Sequence, residues 1–145
     1  MKRLLFDSSI YIESVRRGDG SLLLARSYGG ALLHLSSVVI EELYAGCVDA
    51  KGEATIDRLH MSFMKAGRLV TPNDADWTEA GRVLQKIGRK YGHEQIGRAR
   101  LTNDALIALS AKRAGVSVAT VNTRDFVLIN EFRPFVLLTV EPSAR

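Results

Sequence analysis

Cysteine is almost missing from this chain: Cys47 is the only one in 145 residues. A lone cysteine excludes an intramolecular disulfide, and it fits a reducing cytoplasm. Proline is scarce as well, confined to Pro72, Pro134 and Pro142. No linker, low-complexity tract or internal repeat divides the chain. No apolar run approaches the roughly 18 residues of a membrane span. Met1-Lys2-Arg3-Leu4-Leu5-Phe6-Asp7 meets an acid too early to serve as a secretory leader. Charge of one sign is not in large excess: 20 Lys and Arg against 16 Asp and Glu give a net charge of +4. That balance favours an anionic partner only slightly.

What is present reads as one ordinary α/β domain spanning residues 1–145, with 46% hydrophobic and 25% charged residues. A chain of this size buries roughly 70% of its unfolded surface and folds without staples. Leu4-Leu5-Phe6 predicts a buried strand, followed by a helix that Asp7, Ser8 and Ser9 can cap. Ser21 to Tyr28 predicts a second helix and Ala31 to Leu35 a second strand. Ser36-Ser37 opens a helix to about Cys47, and Ala54 to Ala66 another. After a short strand at Leu69-Val70, residues Asp76 to Tyr91 form an amphipathic helix with Trp77, Ala80, Val83, Leu84 and Ile87 on one stripe. Thr102 to Ala114 predicts a helix closed by Gly115. Val118 to Val121 predicts a strand, Asn122 to Phe126 a turn, and Val136 to Val140 the last strand. Strands alternating with helices imply a central, mainly parallel sheet with helices on both faces, a three-layer α/β fold.

Four acids draw attention by position. Asp7 follows the first strand, where open α/β sheets collect ligands; the plain alternative is a helix N-cap. Glu42 has Val38, Val39, Ala45 and Gly46 as its helical neighbours, so its carboxylate faces protein, whereas Glu41 beside it faces solvent; the plain alternative for Glu42 is an exposed helix glutamate. Asp104 opens an apolar helix; alternatively it is an acid that complements the helix dipole in the first turn. Asp125 follows an apolar strand and alternatively serves only as a turn residue. In a parallel sheet these places converge on one edge. Carboxylates about 4–6 Å apart repel by about 3–4 kcal/mol per pair at an effective dielectric near 20. Such a cluster persists when its members protonate or bind a cation, and oxygen ligands in this number favour Mg²⁺ or Mn²⁺.

The four blocks that carry these acids resemble those of the PIN-domain nucleases, and within them the VapC-type toxins of bacterial and archaeal toxin–antitoxin pairs. Leu5-Phe6-Asp7-Ser8-Ser9 resembles the opening block. Leu35-Ser36-Ser37-Val38-Val39-Ile40-Glu41-Glu42-Leu43 resembles the second and selects Glu42 over Glu41 by its register. Asn103-Asp104-Ala105-Leu106-Ile107-Ala108 resembles the third, and Ala119-Thr120-Val121-Asn122-Thr123-Arg124-Asp125-Phe126 the fourth. Ser9 stands where many relatives have Asn, and Asn122 where some have a further acid.

The resemblance implies a PIN-like fold and an Mg²⁺-dependent endoribonuclease in which Mn²⁺ can substitute. Asp7 and Asp104 would be the principal metal ligands, and Glu42 and Asp125 would complete the set. Ser8, Thr120 and Asn122 would contact the phosphate or support the acids. It further implies a cytoplasmic toxin with a small cognate antitoxin and a homodimeric assembly. Leu22 to Leu24 and the Ile56–Phe63 stripe are candidate contact surfaces, although core burial explains most of them better. The same domain can act in RNA processing, or as a non-catalytic module that binds RNA or a partner. Arg82, Lys86, Arg89, Lys90, Arg98 and Arg100 could track a phosphate backbone or form a solvated face. His34, His60 and His93 lack ligand spacing and read as structural or surface residues. A haloacid-dehalogenase-type phosphatase wants a second Asp two residues after the first, where this chain has Ser9.

Overall fold

The computed structural model describes residues 2–16, 30–94 and 99–140. The expected Ser21–Tyr28 helix, Leu22 to Leu24 and Arg98 lie outside them. Five strands form one sheet: β1 (Arg3–Phe6), β2 (Leu32–Ser36), β3 (Leu69–Val70), β4 (Ser117–Thr120) and β5 (Leu137–Thr139). Their spatial order is β3-β2-β1-β4-β5, and each neighbouring pair is parallel. The six described helices are α1 (Ser8–Arg16), α2 (Ser37–Ala45), α3 (Ala50–Lys65), α4 (Asp74–Tyr91), α5 (Ala99–Ala114) and α6 (Arg124–Phe132).

Strand order reverses at β1. The chain steps outward from β1 through β2 to β3, then crosses back to β4 and β5. Right-handed crossovers therefore place α1 to α3 on one face and α4 to α6 on the other. The packing agrees: α1 meets α2 and α2 meets α3, while α4, α5 and α6 pack against one another. Leu4, Leu5 and Phe6 are wholly buried because both faces of β1 are covered. The crevice at such a reversal lies beyond the carboxyl ends of the two diverging strands, here β1 and β4.

The ends of the elements follow local chemistry. Ser36 caps α2 by accepting the Val38 backbone N–H at 3.1 Å. Asn73 and Asp76 form a reciprocal capping box at the start of α4. Gly115, at φ +72°, ends α5 in the left-handed conformation that a glycine adopts without a steric penalty.

Three expectations need correction. Trp77 does not belong to the buried stripe of α4: it is 57% exposed, and Asp76, Ala80, Val83 and Ile87 form the inward face. Residues 122–126 are not one continuous turn, since α6 begins at Arg124 and buries Phe126 and Ile129. Its short apolar run, Val127-Leu128-Ile129, lacks an obvious helical period because Val127 faces solvent. The third correction concerns α5, which begins at Ala99, so Asp104 lies well inside the helix and outside its first turn. The helix-dipole account of Asp104 therefore fails. The Ile56–Phe63 stripe belongs to the core: Phe63 is buried, and Ile56 and Leu59 pack against the buried cluster.

Candidate active site

Asp7 is the first residue past β1, and its backbone N–H extends the ladder by donating to the Ala119 carbonyl at 3.1 Å. That pairing holds it beside the end of β4. Its carboxylate is 5% exposed and held on both oxygens. The Ser9 hydroxyl donates to Oδ1 at 2.6 Å, and the Thr120 hydroxyl donates to Oδ2 at 2.7 Å. Asp7 also accepts a backbone hydrogen bond from Ile10, so it caps α1 as well as facing the crevice. Burial raises its pKa above the usual carboxylate value; the two hydroxyls, Ile10 and the charge of Arg100 pull it only part of the way back.

Thr120 is wholly buried at the end of β4. It receives the Asn122 backbone N–H at 2.9 Å, which fixes the direction of its own O–H toward Asp7. Thr120 thus supports Asp7 from a buried position. Ser9 ties the same corner together, lying 3.3 Å from both the Thr120 hydroxyl and the Val121 backbone nitrogen.

Glu42 comes from α2, which leaves β2 on the other side of β1 and contacts α5. Its Oε2 lies 3.5 Å from the Asn103 amide nitrogen, at the limit of a hydrogen bond. Its Oε1 is buried with no hydrogen-bond partner among the described residues. Burial raises the Glu42 pKa; Asn103 and the Ser8 hydroxyl lower it, and the charges of Asp7 and Glu41 raise it further. Glu41 itself is exposed.

Asp104 projects from α5 and is 7% exposed. Its pKa is pushed up to about 8, first by burial and then by the negative charges of Asp7, Asp125 and Glu42, against which Arg100 acts in the other direction. Asp104 is thus where the influence of all the other acids meets. Asp125, half-buried in the first turn of α6, completes the group. Asn122 sits in the turn after β4 with its side chain exposed, and Ser8 lies against Glu42. The fold therefore brings Asp7, Glu42, Asp104 and Asp125 into one neighbourhood from four separate segments. As the side chains stand, no three acids, histidines or cysteines among the described residues enclose a point that could seat a metal ion.

Another buried acid provides a contrast. Asp76 is 5% exposed, and its Oδ2 accepts from Arg113 Nε at 2.9 Å and from the Asn73 backbone nitrogen at 3.0 Å. A buried carboxylate with a structural role has its charge matched in this way. Among the described residues, the four site acids make no ion pair with a basic side chain. An orphaned, buried Glu42 oxygen and an Asp104 that burial and its neighbours hold toward the neutral form suit a hard divalent cation, which would take the oxygens as ligands and offset their repulsion.

The sequence reading overlooked Ser9 and Asn103. Ser9 offered a signal: a hydroxyl two residues past an acid at a helix start often turns back toward it. Asn103 is hidden because the sequence places the helix start at Thr102, whereas α5 begins at Ala99. The other basic residues stand apart. Arg82, Lys86 and Arg89 lie on the exposed side of α4, and Lys90 pairs with Glu131 at 2.8 Å.

The family model of the PIN domain matches residues 4–130. No curated protein matches the chain in sequence. Among solved structures, the chain is similar to DNA-bound VapBC from Salmonella typhimurium, with a TM-score of 0.64 and 16% identity over 99% of this chain and 100% of that one. VapBC2 from Rickettsia felis, bound to a DNA fragment from its promoter, gives 0.63 and 20% over 96% and 99%. FitAcB from Neisseria gonorrhoeae gives 0.60 and 22% over 94% and 96%. At these identities the likeness is one of fold.

Proposed function

The chain belongs to the PIN domain family, and on that footing we propose that it is a metal-dependent endoribonuclease that hydrolyses RNA phosphodiester bonds at Asp7, Glu42, Asp104 and Asp125. The observation that carries this reading is the setting of Asp104: buried, within the influence of the charges of Asp7, Asp125 and Glu42, and without an ion-pair partner among the described residues, which together push its pKa up. Evolution toward stability alone would replace such a group or pair it, as Asp76 is paired.

Asp7 and Asp104, with Glu42 and Asp125, would hold Mg²⁺, or Mn²⁺ in its place, which would supply Lewis acidity and activate a water for attack. The chain's own residues supply the rest. Ser9 and Thr120 fix the Asp7 carboxylate so that it need not reorganise during the reaction. Glu42 and Asp125 orient the attacking water and accept its proton. Ser8, buried against Glu42, supports that acid, and the exposed Asn122 lies where the phosphate oxygens of a strand would rest. Water attacks phosphorus, the bond from phosphorus to the 3′ oxygen breaks, and that oxygen leaves with a proton. The products are a 5′-phosphate and a 3′-hydroxyl.

The solved relatives named above are VapBC and FitAcB assemblies, which supports a biological setting as the toxin of a toxin–antitoxin pair. In that setting a small antitoxin covers the acids and brings a basic residue to them, the toxin forms a homodimer, and the pair works in the cytoplasm. No helix among the described residues is long and apolar enough to cross a membrane.

The test is direct. Purified protein is incubated with RNA in Mg²⁺, with and without EDTA, and the new ends are mapped. Cleavage that EDTA stops, leaving 5′-phosphates, supports the proposal. Cleavage indifferent to EDTA, or no cleavage of any RNA, contradicts it.

A further inference from the structure

Arg100 lies one turn before Asp104 on α5, at the i and i+4 spacing that puts two side chains on one face of a helix. Asp104 is buried, whereas Arg100 is exposed. The shared face and the exposure of Arg100 set its charge at the solvent side of the acid-bearing stretch of α5. It makes no hydrogen bond or ion pair among the described residues.

Four other basic side chains are committed elsewhere. Arg113 holds Asp76 and the Thr71 carbonyl, Arg68 the Leu33 carbonyl, Lys112 the Pro134 carbonyl and Lys90 the Glu131 carboxylate. Among the described residues Arg100 has no such commitment; it sits one helical turn from Asp104, and its charge acts on both Asp7 and Asp104. Its place is therefore beside the acids, beyond ion-pair contact with them. A strand of RNA approaching four carboxylates is repelled by them, and a free guanidinium at the rim offsets that repulsion where the strand must enter.

We propose that Arg100 is a substrate-binding residue whose guanidinium grips the non-bridging oxygens of an RNA phosphate lying across the acid cluster. A planar fork of donors meets a phosphate through two parallel hydrogen bonds, which a lysine cannot reproduce. The contact reads no base, so it serves any sequence that the rest of the surface admits. This inference rests on the nuclease reading and adds to it the residue that holds the strand in place.

The experiment compares wild type, Arg100→Gln and Arg100→Lys in cleavage of a single-stranded RNA oligonucleotide, across a salt series and a pH series. The expected result is a loss of about 10- to 100-fold in kcat/KM for Arg100→Gln, with partial recovery in Arg100→Lys. The slope of log kcat/KM against log salt should shrink by about 0.7 in Arg100→Gln and stay near wild type in Arg100→Lys. A shifted pH profile with an unchanged salt slope would show that Arg100 only tunes the acids, and it would overturn the proposal. Should Arg100→Gln fail to fold, Arg100→Lys decides alone, since wild-type kcat/KM in that variant would rule out the bidentate grip. If wild type cuts RNA and both variants cut equally well, this inference fails and the nuclease reading stands. If wild type cuts no RNA, the nuclease reading fails first.

Discussion

Thr120 donates its hydroxyl to Asp7 Oδ2 over 2.7 Å, although 113 positions separate the two residues in the chain. The bond spans the point where strand order reverses, joining the ends of β1 and β4. It makes the orientation of the first acid a property of the sheet. Thr120→Val should leave a buried Asp7 oxygen unsatisfied and lower stability by about 1–3 kcal/mol. Cleavage should fall by about 10- to 100-fold through misplacement of Asp7, and Thr120→Ser should recover most of both. Urea unfolding and cleavage rates check the pair. Full activity in Thr120→Val would remove Thr120 from the account.

The acid cluster also sets a pH dependence of stability. Asp7, Glu42 and Asp104 have raised pKa values in the folded protein, Asp104 reaching about 8. Between the ordinary carboxylate value and these raised values, the folded chain keeps protons that the unfolded chain has released. Stability linked to these groups is therefore fully present below the unfolded pKa and is lost as pH rises toward the folded one. In EDTA, the difference in unfolding free energy between wild type and Asp104→Asn should move in favour of Asp104→Asn from about pH 5 to about pH 8. A difference that is flat with pH would show that Asp104 ionises normally.

Asp76 should behave in the opposite way to the site acids. Its carboxylate joins the α4 cap to Arg113 on α5, and among the described residues it makes no hydrogen bond to a site acid. Asp76→Ala should cost about 1–3 kcal/mol of stability, because a hydrogen-bonded partner of buried groups is lost. Cleavage per folded molecule should stay near wild type. Circular dichroism melting alongside cleavage assays separates the two effects. A loss of turnover without a loss of stability would mean that α4 reaches the chemistry.

The architecture was legible in the sequence wherever a residue pattern had one physical solution. Leu4-Leu5-Phe6 could only be a covered strand, and the alternation of strands and helices could only give a parallel sheet. The inward face of Glu42 followed from its small and apolar helical neighbours. The start of α5 was not legible, because Thr102 and Asn103 resemble caps and nothing in Ala99-Arg100-Leu101 breaks a helix or demands one. That shift of about one turn hid the amide of Asn103 from Glu42 and the guanidinium of Arg100 from the acids. Trp77 was misplaced because helical spacing identifies a stripe but not where its edge meets solvent. Asp76 went unremarked among the acids because an ion pair between α4 and α5 depends on packing that spacing along the chain does not reveal.

The claim on which the account turns is that Asp7, Glu42, Asp104 and Asp125 together hold a divalent cation. Titration calorimetry with Mg²⁺ at neutral pH, run in two buffers of different ionisation enthalpy, tests it most directly. The wild-type protein should bind Mg²⁺ and release protons as it does so, because Asp104 must give up its proton to serve as a ligand. Asp104→Asn should weaken binding at least about 10-fold and abolish most of that release. Mg²⁺ binding of equal strength in wild type and Asp104→Asn, with no proton release in either, would contradict the account.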